Sequence, residues 1–333
     1  MASEHSKPKI GFLGVGWIGR HRMEAMIATG LVEAAAIVEP SDDLAAAALA
    51  AAPGATRLAS YDEMLALDLD GIVIATPSAL HADQSIRALD AGKAVFCQKP
   101  LGRSAAEARA VVDAAARADR LLTVDLSYRF TAAMEAIAPL VCSGELGHIH
   151  AVDLVFHNAY GPDKPWFYDR AQSGGGCVMD LGVHLVDLAL WTLGFPEVDR
   201  VDAALQAAGE PLAAGDPRVE DYAVATLRLA GGTVVRLACS WRLQAGQEAE
   251  IGASFYGTNG AAAMRNVGGS FYDFTAERFH GTATQAIAAS EADWGGRAAA
   301  DWAERLAASR AFNPQAERLV DVARVLDRIY AGA

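Results

Sequence analysis

The chain has 333 residues, 52% of them hydrophobic and 21% charged, and a formal net charge of −13. That length exceeds what one hydrophobic core usually serves, so two domains are expected, and the acidic balance argues against nucleic acid or an anionic membrane as a partner. Cys97, Cys142, Cys177 and Cys239 form no C-x-x-C pair, which points to neither a metal site nor a disulfide framework.

From Lys9 the chain reads KIGFLGVGWIG. Ile10, Phe12 and Leu13 suit a buried strand, and Gly14-Val15-Gly16-Trp17-Ile18-Gly19 fits G-x-G-x-x-G, the dinucleotide fingerprint. The first glycine permits a tight turn, the second lets a pyrophosphate reach the backbone, and the third lets helix pack on strand. The helix N-terminus then offers unpaired N–H groups to the phosphates. A helix is expected over 21–29, ending at Gly30, then a strand over 34–38. Glu39 closes that strand about twenty residues past the motif, where a ribose-binding acid belongs. A carboxylate there repels a 2′-phosphate, and no arginine or lysine follows within 40–43, so NAD is expected over NADP.

The alternation continues with helices over 42–52 and 61–67 and a wholly apolar strand over 71–75, the kind buried on both faces. Thr76-Pro77-Ser78 is expected to cap a helix over 79–91 that stops at Gly92. His81 in its first turn either reaches a cofactor or caps and packs. A strand over 94–97, a helix over 105–118 and a strand over 121–125 complete a parallel, doubly wound sheet. Glu4, Asp42 and Asp43 read as solvated surface charges.

Beyond about residue 126 the rhythm changes to longer strand-like runs over 149–157, 222–229, 233–241 and 249–256, with Gly231-Gly232 turning a hairpin. A mostly antiparallel sheet is expected, then a closing helix over 314–330. Between them, SGGGCVMDLGVHLVD (173–187) sets Asp180 and His184 four apart, on one face of a helix, with Asp187 nearly in line. A carboxylate beside an imidazole is a common way to move a proton near neutral pH; the same spacing also suits a buried structural pair.

The glycine fingerprint, Glu39, ATPSALH (75–81), AGKAVFCQKPLG (91–102), SYRF (127–130) and the GGG-to-His184 helix follow one another in order. In this the first 195 residues resemble the Gfo/Idh/MocA oxidoreductases, the family of glucose-fructose oxidoreductase and inositol dehydrogenase; past Trp241 the likeness is one of general architecture. The resemblance implies a Rossmann domain followed by a domain whose large open sheet carries substrate contacts and a subunit interface. Lys99 matches the lysine of the family's EKP motif, which faces the reacting hydroxyl and the nicotinamide. Asp180 and His184 match the acid and histidine of its D-x-x-x-H helix. Gln98 departs from the EKP glutamate near the nicotinamide ribose, where it can still hydrogen-bond but brings no charge. Tyr128, His157, Trp166 and Asp169 lie in regions that line the family's sugar pocket. Trp166 can stack on a pyranose or serve the core.

The expected fold is α/β: an N-terminal Rossmann doubly wound parallel sheet (1–126) plus a C-terminal α+β domain with a large, mostly antiparallel open sheet (127–333). The expected activity is NAD-dependent oxidation of a secondary hydroxyl of a sugar, sugar derivative or cyclitol. His184 would act as base, Lys99 would steady the alkoxide, and Asp180 would either orient the imidazole or grip a sugar hydroxyl. Alternatives are a redox-neutral catalyst that retains NAD and a dinucleotide-dependent sensor. Cofactor contacts are expected from Gly14, Gly16, Trp17, Ile18, Gly19, Glu39, Thr76, Pro77, His81, Gln98 and Lys99, and substrate contacts from Lys99, Tyr128, His157, Trp166, Asp180 and His184. The runs VVRLA (234–238) and IGASFY (251–256) carry apolar residues on both alternating faces, so a homodimer or homotetramer is expected. The polar N-terminal stretch MASEHSKPK lacks a signal-peptide core and no apolar run nears a membrane span, so a cytoplasmic location is expected.

Overall fold

The structure, a computed structural model, describes residues 7–213, 216–290 and 293–332; Glu4 lies outside the described residues. The chain divides into two compact units. One holds the described residues up to Gly102, with Ala106–Asp125 and Gly296–Val320; the other holds Arg103–Ala105, Leu126–Gly295 and the described residues from Asp321 on.

The first unit alternates β1 (Lys9–Leu13), α1 (Trp17–Ala28), β2 (Glu33–Val38), α2 (Asp42–Ala51), β3 (Thr56–Arg57), α3 (Tyr61–Ala66), β4 (Gly71–Ile74), α4 (Ser78–Asp90), β5 (Ala94–Cys97), α5 (Ala105–Ala118) and β6 (Leu122–Val124). The six strands lie in the order β3-β2-β1-β4-β5-β6 and every pairing is parallel. This is a Rossmann sheet, and the crevice beyond its strand C-termini at the β1/β4 switch is where such sheets take dinucleotides. β4 and β5 are buried at every residue, because helices cover both faces.

Three local expectations are corrected. Helix α1 begins at Trp17, not at residue 21, so the fingerprint's third glycine lies inside the first turn. No hydroxyl caps α4: Pro77 occupies the N-cap position without a side-chain bond, and Thr76 Oγ1 instead donates to Gln84 Oε1 at 2.6 Å. The closing helix is broken. A 3-10 turn over Pro314–Glu317, capped by Asn313, precedes the α-helix, because proline at its first position begins a turn but removes a donor.

The second unit contains α6 (Ala132–Cys142), β7 (Ile149–Asn158), α7 (Arg170–Ser173), α8 (Val183–Thr192), β8 (Val198–Ala207), β9 (Glu210–Pro211), β10 (Tyr222–Leu229), β11 (Val234–Ser240), β12 (Ala249–Gly257), β13 (Ala261–Asn266), β14 (Phe274–His280) and β15 (Ala283–Ala288). These form a nine-stranded sheet in the order β15-β14-β13-β12-β7-β11-β10-β8-β9. It is mostly antiparallel, with β7 and β11 pairing in parallel at its centre. The glycines of the β10–β11 hairpin both take positive φ (94° and 92°), as a tight turn there demands. Leu154, Phe156, Leu237, Cys239, Ala253 and Phe255 point to the face that joins the main core with α6 and α8.

The other face is not the apolar surface expected. It carries Asp153, Arg236, Thr226, Ser254 and Glu250 among small residues, and Arg236 forms a two-pronged ion pair with Asp153. The pattern VVRLA misleads because alternation sends Val235 and Leu237 inward and leaves Val234, Arg236 and Ala238 outside.

Two further helices follow the second sheet: α9 (Arg297–Ala308) and α10 (Arg318–Ala331). Helix α9 packs in the first unit. Its Trp302 is fully buried, 5.8 Å from the Phe96 ring, and lies where a Cβ on Gly71 would come within 2.8 Å. Among the described residues no helix is long and apolar enough to cross a membrane, and no group of three or more His, Cys, Asp or Glu could hold a metal ion.

Candidate active site

In the first unit the expected cofactor residues gather at the strand C-termini. Gly14 takes φ +83°, and a Cβ there would sit 2.6 Å from the Ala75 carbonyl oxygen; one on Gly19 would sit 2.2 Å from the Gly14 carbonyl oxygen. These two glycines are explained by the protein itself. Gly16 is different, because a Cβ there would meet no protein atom within 4 Å. It stands at the N-cap of α1, which has no side-chain cap and no acid in its first turn. An open cradle in front of unpaired N–H groups fits the pyrophosphate of a dinucleotide. Trp17 is exposed and its ring stacks near His21 at 6.2 Å, while Ile18 is half-buried.

Glu39 is 9% exposed. Its Oε2 accepts from Val15 N and its Oε1 from Ser41 N, each at 3.0 Å, so the carboxylate ties the glycine loop to the end of β2. Each oxygen keeps acceptor capacity for a ribose hydroxyl.

His81 is 1% exposed, with Nδ1 2.6 Å from the Pro100 carbonyl oxygen and Nε2 2.7 Å from that of Thr76. Burial pushes its pKa below the ordinary 6.5, partly opposed by these carbonyls. The ring therefore clamps the loop after β4 to the loop after β5. Of the two roles open to it, packing is the one the contacts describe.

Gln98 donates through Nε2 to Asp125 Oδ2 at 2.6 Å, and the buried Asp125 also receives Arg22 Nε at 2.6 Å. A glutamate at position 98 would set two carboxylates against each other. The departure from the EKP motif is thus matched to Asp125. Lys99 follows, half-buried, joined to Pro100 by a cis peptide bond.

In the second unit, Val178–Gly182 is a π-helical turn that passes directly into α8. The wider turn means that Asp180 and His184 are not stacked as four residues of one α-helix would be. Asp180 Oδ2 accepts from Trp241 Nε1 at 3.0 Å. His184 is 7% exposed, and the Tyr128 ring tilts against it at 4.8 Å, with Phe156 at 6.4 Å. Tyr128 packs in turn on Trp294 and Phe274, and burial, helped by the Asp180 charge, pushes its phenol pKa up. Asp187 is not part of this group. It is 2% exposed and gripped by the Arg129 fork, whose Nε donates at 2.8 Å.

Trp166 stacks on Phe167 at 3.8 Å, and Phe167 meets Trp241 edge-on at 6.3 Å, which links Trp166 to the Asp180 side of the cluster. Asp169 caps α7, accepting from Ala171 N at 2.9 Å. His157 is a correction. It follows Phe156 on β7, so it projects from the opposite sheet face to the one Tyr128 and His184 cover. There its Nδ1 lies 2.8 Å from Ser240 Oγ, and its ring stacks parallel to Tyr222. Burial lowers its pKa. A cavity of about 550 Å³ lined by His150, Tyr256, Asn259 and His280 also lies away from this cluster and contains none of its residues.

Sequence reading missed Glu220. It is 1% exposed, and its Oε1 accepts from Gly176 N (2.9 Å), Val178 N (3.0 Å) and Tyr330 Oη (2.8 Å), while its backbone oxygen accepts from Cys177 N. One carboxylate thus satisfies the N–H groups where the π turn starts. Burial raises its pKa against the opposing pull of these bonds. A Cβ on Gly176 would lie 1.9 Å from the Glu220 carbonyl oxygen, so the last glycine of the triplet is required by this contact. The available signal was an acid placed just before a β-strand.

Two family models match the chain. Residues 8–126 match an oxidoreductase family with an NAD-binding Rossmann fold, and residues 134–263 match the GFO/IDH/MocA C-terminal domain. The chain is 29% identical over 211 residues to a D-glucoside 3-dehydrogenase of Escherichia coli (strain K12), covering 60% of each chain. It is 28% identical over 259 residues to an inositol 2-dehydrogenase of Rhizobium meliloti, covering 78% of this chain and 76% of that one. The match to the Escherichia coli relative thus spans about three-fifths of its length. Among solved structures, GenD2 from gentamicin A biosynthesis in complex with NAD superposes with a TM-score of 0.80 at 25% identity, covering 100% of this chain and 95% of that one.

Proposed function

The chain belongs to the Gfo/Idh/MocA family of oxidoreductases, with an NAD-binding Rossmann domain, and from that premise we propose an NAD-dependent dehydrogenase acting on a secondary hydroxyl of a sugar, sugar derivative or cyclitol. The first unit, which takes Gly296–Val320 out of the second domain expected over 127–333, serves as the cofactor domain, and the second unit serves as the substrate and assembly domain. The observation that carries the reading is the continuous run of π turn and α8 that presents Asp180, aimed by Trp241, and then His184, packed against Tyr128. The dehydrogenases among the relatives support the substrate class.

NAD, when bound, supplies the hydride acceptor. The Gly16 cradle and the N-terminus of α1 would hold its pyrophosphate, and Glu39 would accept from the adenosine ribose and disfavour a 2′-phosphate. His184 takes the proton from the reacting hydroxyl oxygen. The Lys99 ammonium stabilises the negative charge that builds on that oxygen. Asp180, oriented by the indole N–H, accepts from a neighbouring substrate hydroxyl. Trp166 offers a ring face to the C–H side of a sugar.

A panel of polyols, aldoses and glycosides incubated with NAD and followed at the nicotinamide absorbance tests this. Accumulating NADH is the expected result. Product without net NADH would replace it with redox-neutral catalysis, and dinucleotide binding without turnover would replace it with a sensor.

A further inference from the structure

We propose that Arg57 is a latent 2′-phosphate-binding group held out of use by Asp42, so that cofactor choice is set by Glu39 and Asp42 together and not by Glu39 alone. The proposal rests on the reading of the first unit as the NAD site.

Sequence reading looks for a competing base in the residues just after Glu39, and none is there. The fold supplies one from elsewhere. Strand β3 pairs in parallel with β2, Ile37 opposite Arg57, which carries the guanidinium to the end of β2. There Arg57 Nη2 donates to the carbonyl oxygens of Glu39 (3.0 Å) and Pro40 (3.5 Å), and Nη1 donates to Asp42 Oδ1 at 2.7 Å. The Glu39 carboxylate is fixed by Val15 N and Ser41 N in the same stretch of chain. A guanidinium and a carboxylate therefore flank the position where a Rossmann fold places the adenosine ribose.

The two groups discriminate in opposite directions. Glu39 accepts from ribose hydroxyls and repels a phosphate dianion. Arg57 has the planar fork that recognises phosphate through paired, charge-assisted bonds. What withholds that fork is Asp42. Its side chain is 90% exposed and that of Arg57 36%, so the ion pair is a weak, water-exposed tether that loss of one charge releases. Removing Glu39 alone lifts the repulsion but leaves Arg57 neutralised. Removing Asp42 as well leaves the Arg57 charge unneutralised and its Nη1 open, with Nη2 still held by the Glu39 carbonyl at the end of β2.

The test is calorimetric titration of the full chain with NAD+ and with NADP+, for the wild type, Glu39→Gln, Asp42→Asn, Glu39→Gln/Asp42→Asn, and that pair combined with Arg57→Met. The double variant is expected to bind NADP+ about tenfold more tightly than Glu39→Gln, the scale of one added charge-assisted bond. Adding Arg57→Met should erase that gain while NAD+ affinity stays within roughly threefold, since an unphosphorylated ribose offers the guanidinium no anion to bind. Where the methionine variant melts early, Arg57→Lys replaces it: it keeps the charge, loses the fork, and should reduce the gain by about threefold or more. A double variant no better than Glu39→Gln, or a gain that survives loss of Arg57, overturns the proposal and leaves the NAD site standing. A wild type that binds neither dinucleotide overturns both.

Discussion

The indole N–H of Trp241 donates to Asp180 Oδ2 at 3.0 Å. The residue that follows a central strand of the second sheet thereby aims the carboxylate of the π turn that leads into α8. Trp241→Phe keeps a ring for Tyr168 and Phe167 and removes only the donor. A hydrogen bond to a charged group contributes about 1.5 kcal/mol or more, so kcat should fall roughly tenfold. Steady-state kinetics at saturating substrate check this, and an unchanged kcat would mean that Asp180 is aimed by other contacts.

Glu220 supports the same turn from behind. Glu220→Gln leaves an acceptor for Gly176 and Val178, whereas Glu220→Ala strands buried N–H groups at a cost of about 1–3 kcal/mol each. Denaturant unfolding should rank wild type above Glu220→Gln and Glu220→Ala lowest. Gly176→Ala should be at least as damaging as Glu220→Ala, because its Cβ would collide with backbone and not with a side chain that can move. An alanine at 220 that costs nothing would show that water replaces the carboxylate.

Acid sensitivity should trace in part to His81. Its folded pKa is lowered by burial, so the unfolded chain binds the extra proton first as pH falls through 6.5. The stability it carries is complete above that value and declines below it. His157 acts in the same sense, while Glu220, with a raised pKa, acts in the opposite sense. The informative comparison is therefore between proteins: the drop in Tm from pH 7.5 to pH 5.5 should be smaller for His81→Gln than for the wild type. Equal drops would place the acid sensitivity elsewhere.

The outward face of the second sheet mixes charged and small residues, and assembly through it is expected to rest on shape. Ala204, Val224, Ala238, Val155 and Gly252 stand in register across five strands, a row of small side chains with Val224 39% exposed. A second copy can approach such a row closely and shield the polar groups around it. Light scattering coupled to size exclusion should give a multiple of 34.9 kDa, and Val224→Arg should lower it. A wild-type mass near 34.9 kDa would show that this face stays open.

The Rossmann half was legible because its signals are local. Glycine spacing, wholly apolar strands and stop glycines fixed β1, β4, β5 and α5 to within a residue. What failed there was contact chemistry: Thr76 bonds a glutamine and not a helix end, and Arg57 reaches Glu39 only through strand pairing. The second unit was harder to read. Strands β13 and β15 are short of bulky apolar residues, and β8 and β14 space theirs irregularly among charged ones, so no alternating pattern stood out. Asp180 and His184 were visible as residue types at a spacing, but the π turn between them, and the Trp241 and Glu220 that hold it, come from positions more than forty residues away. His157 was expected only from its place in a region that lines the family's sugar pocket, and that does not say which face of β7 a residue takes.

The central claim is that His184 and Lys99 move the proton and steady the charge while hydride passes to NAD. It is tested most directly by kcat for His184→Ala and Lys99→Ala on the best substrate of the panel, with NAD+ affinity measured in parallel by calorimetry. Each kcat should fall roughly a hundredfold or more, and NAD+ affinity should hold for His184→Ala. Near-normal NADH formation by either variant would contradict the account, because the proton would then leave, or the charge be met, through groups other than these.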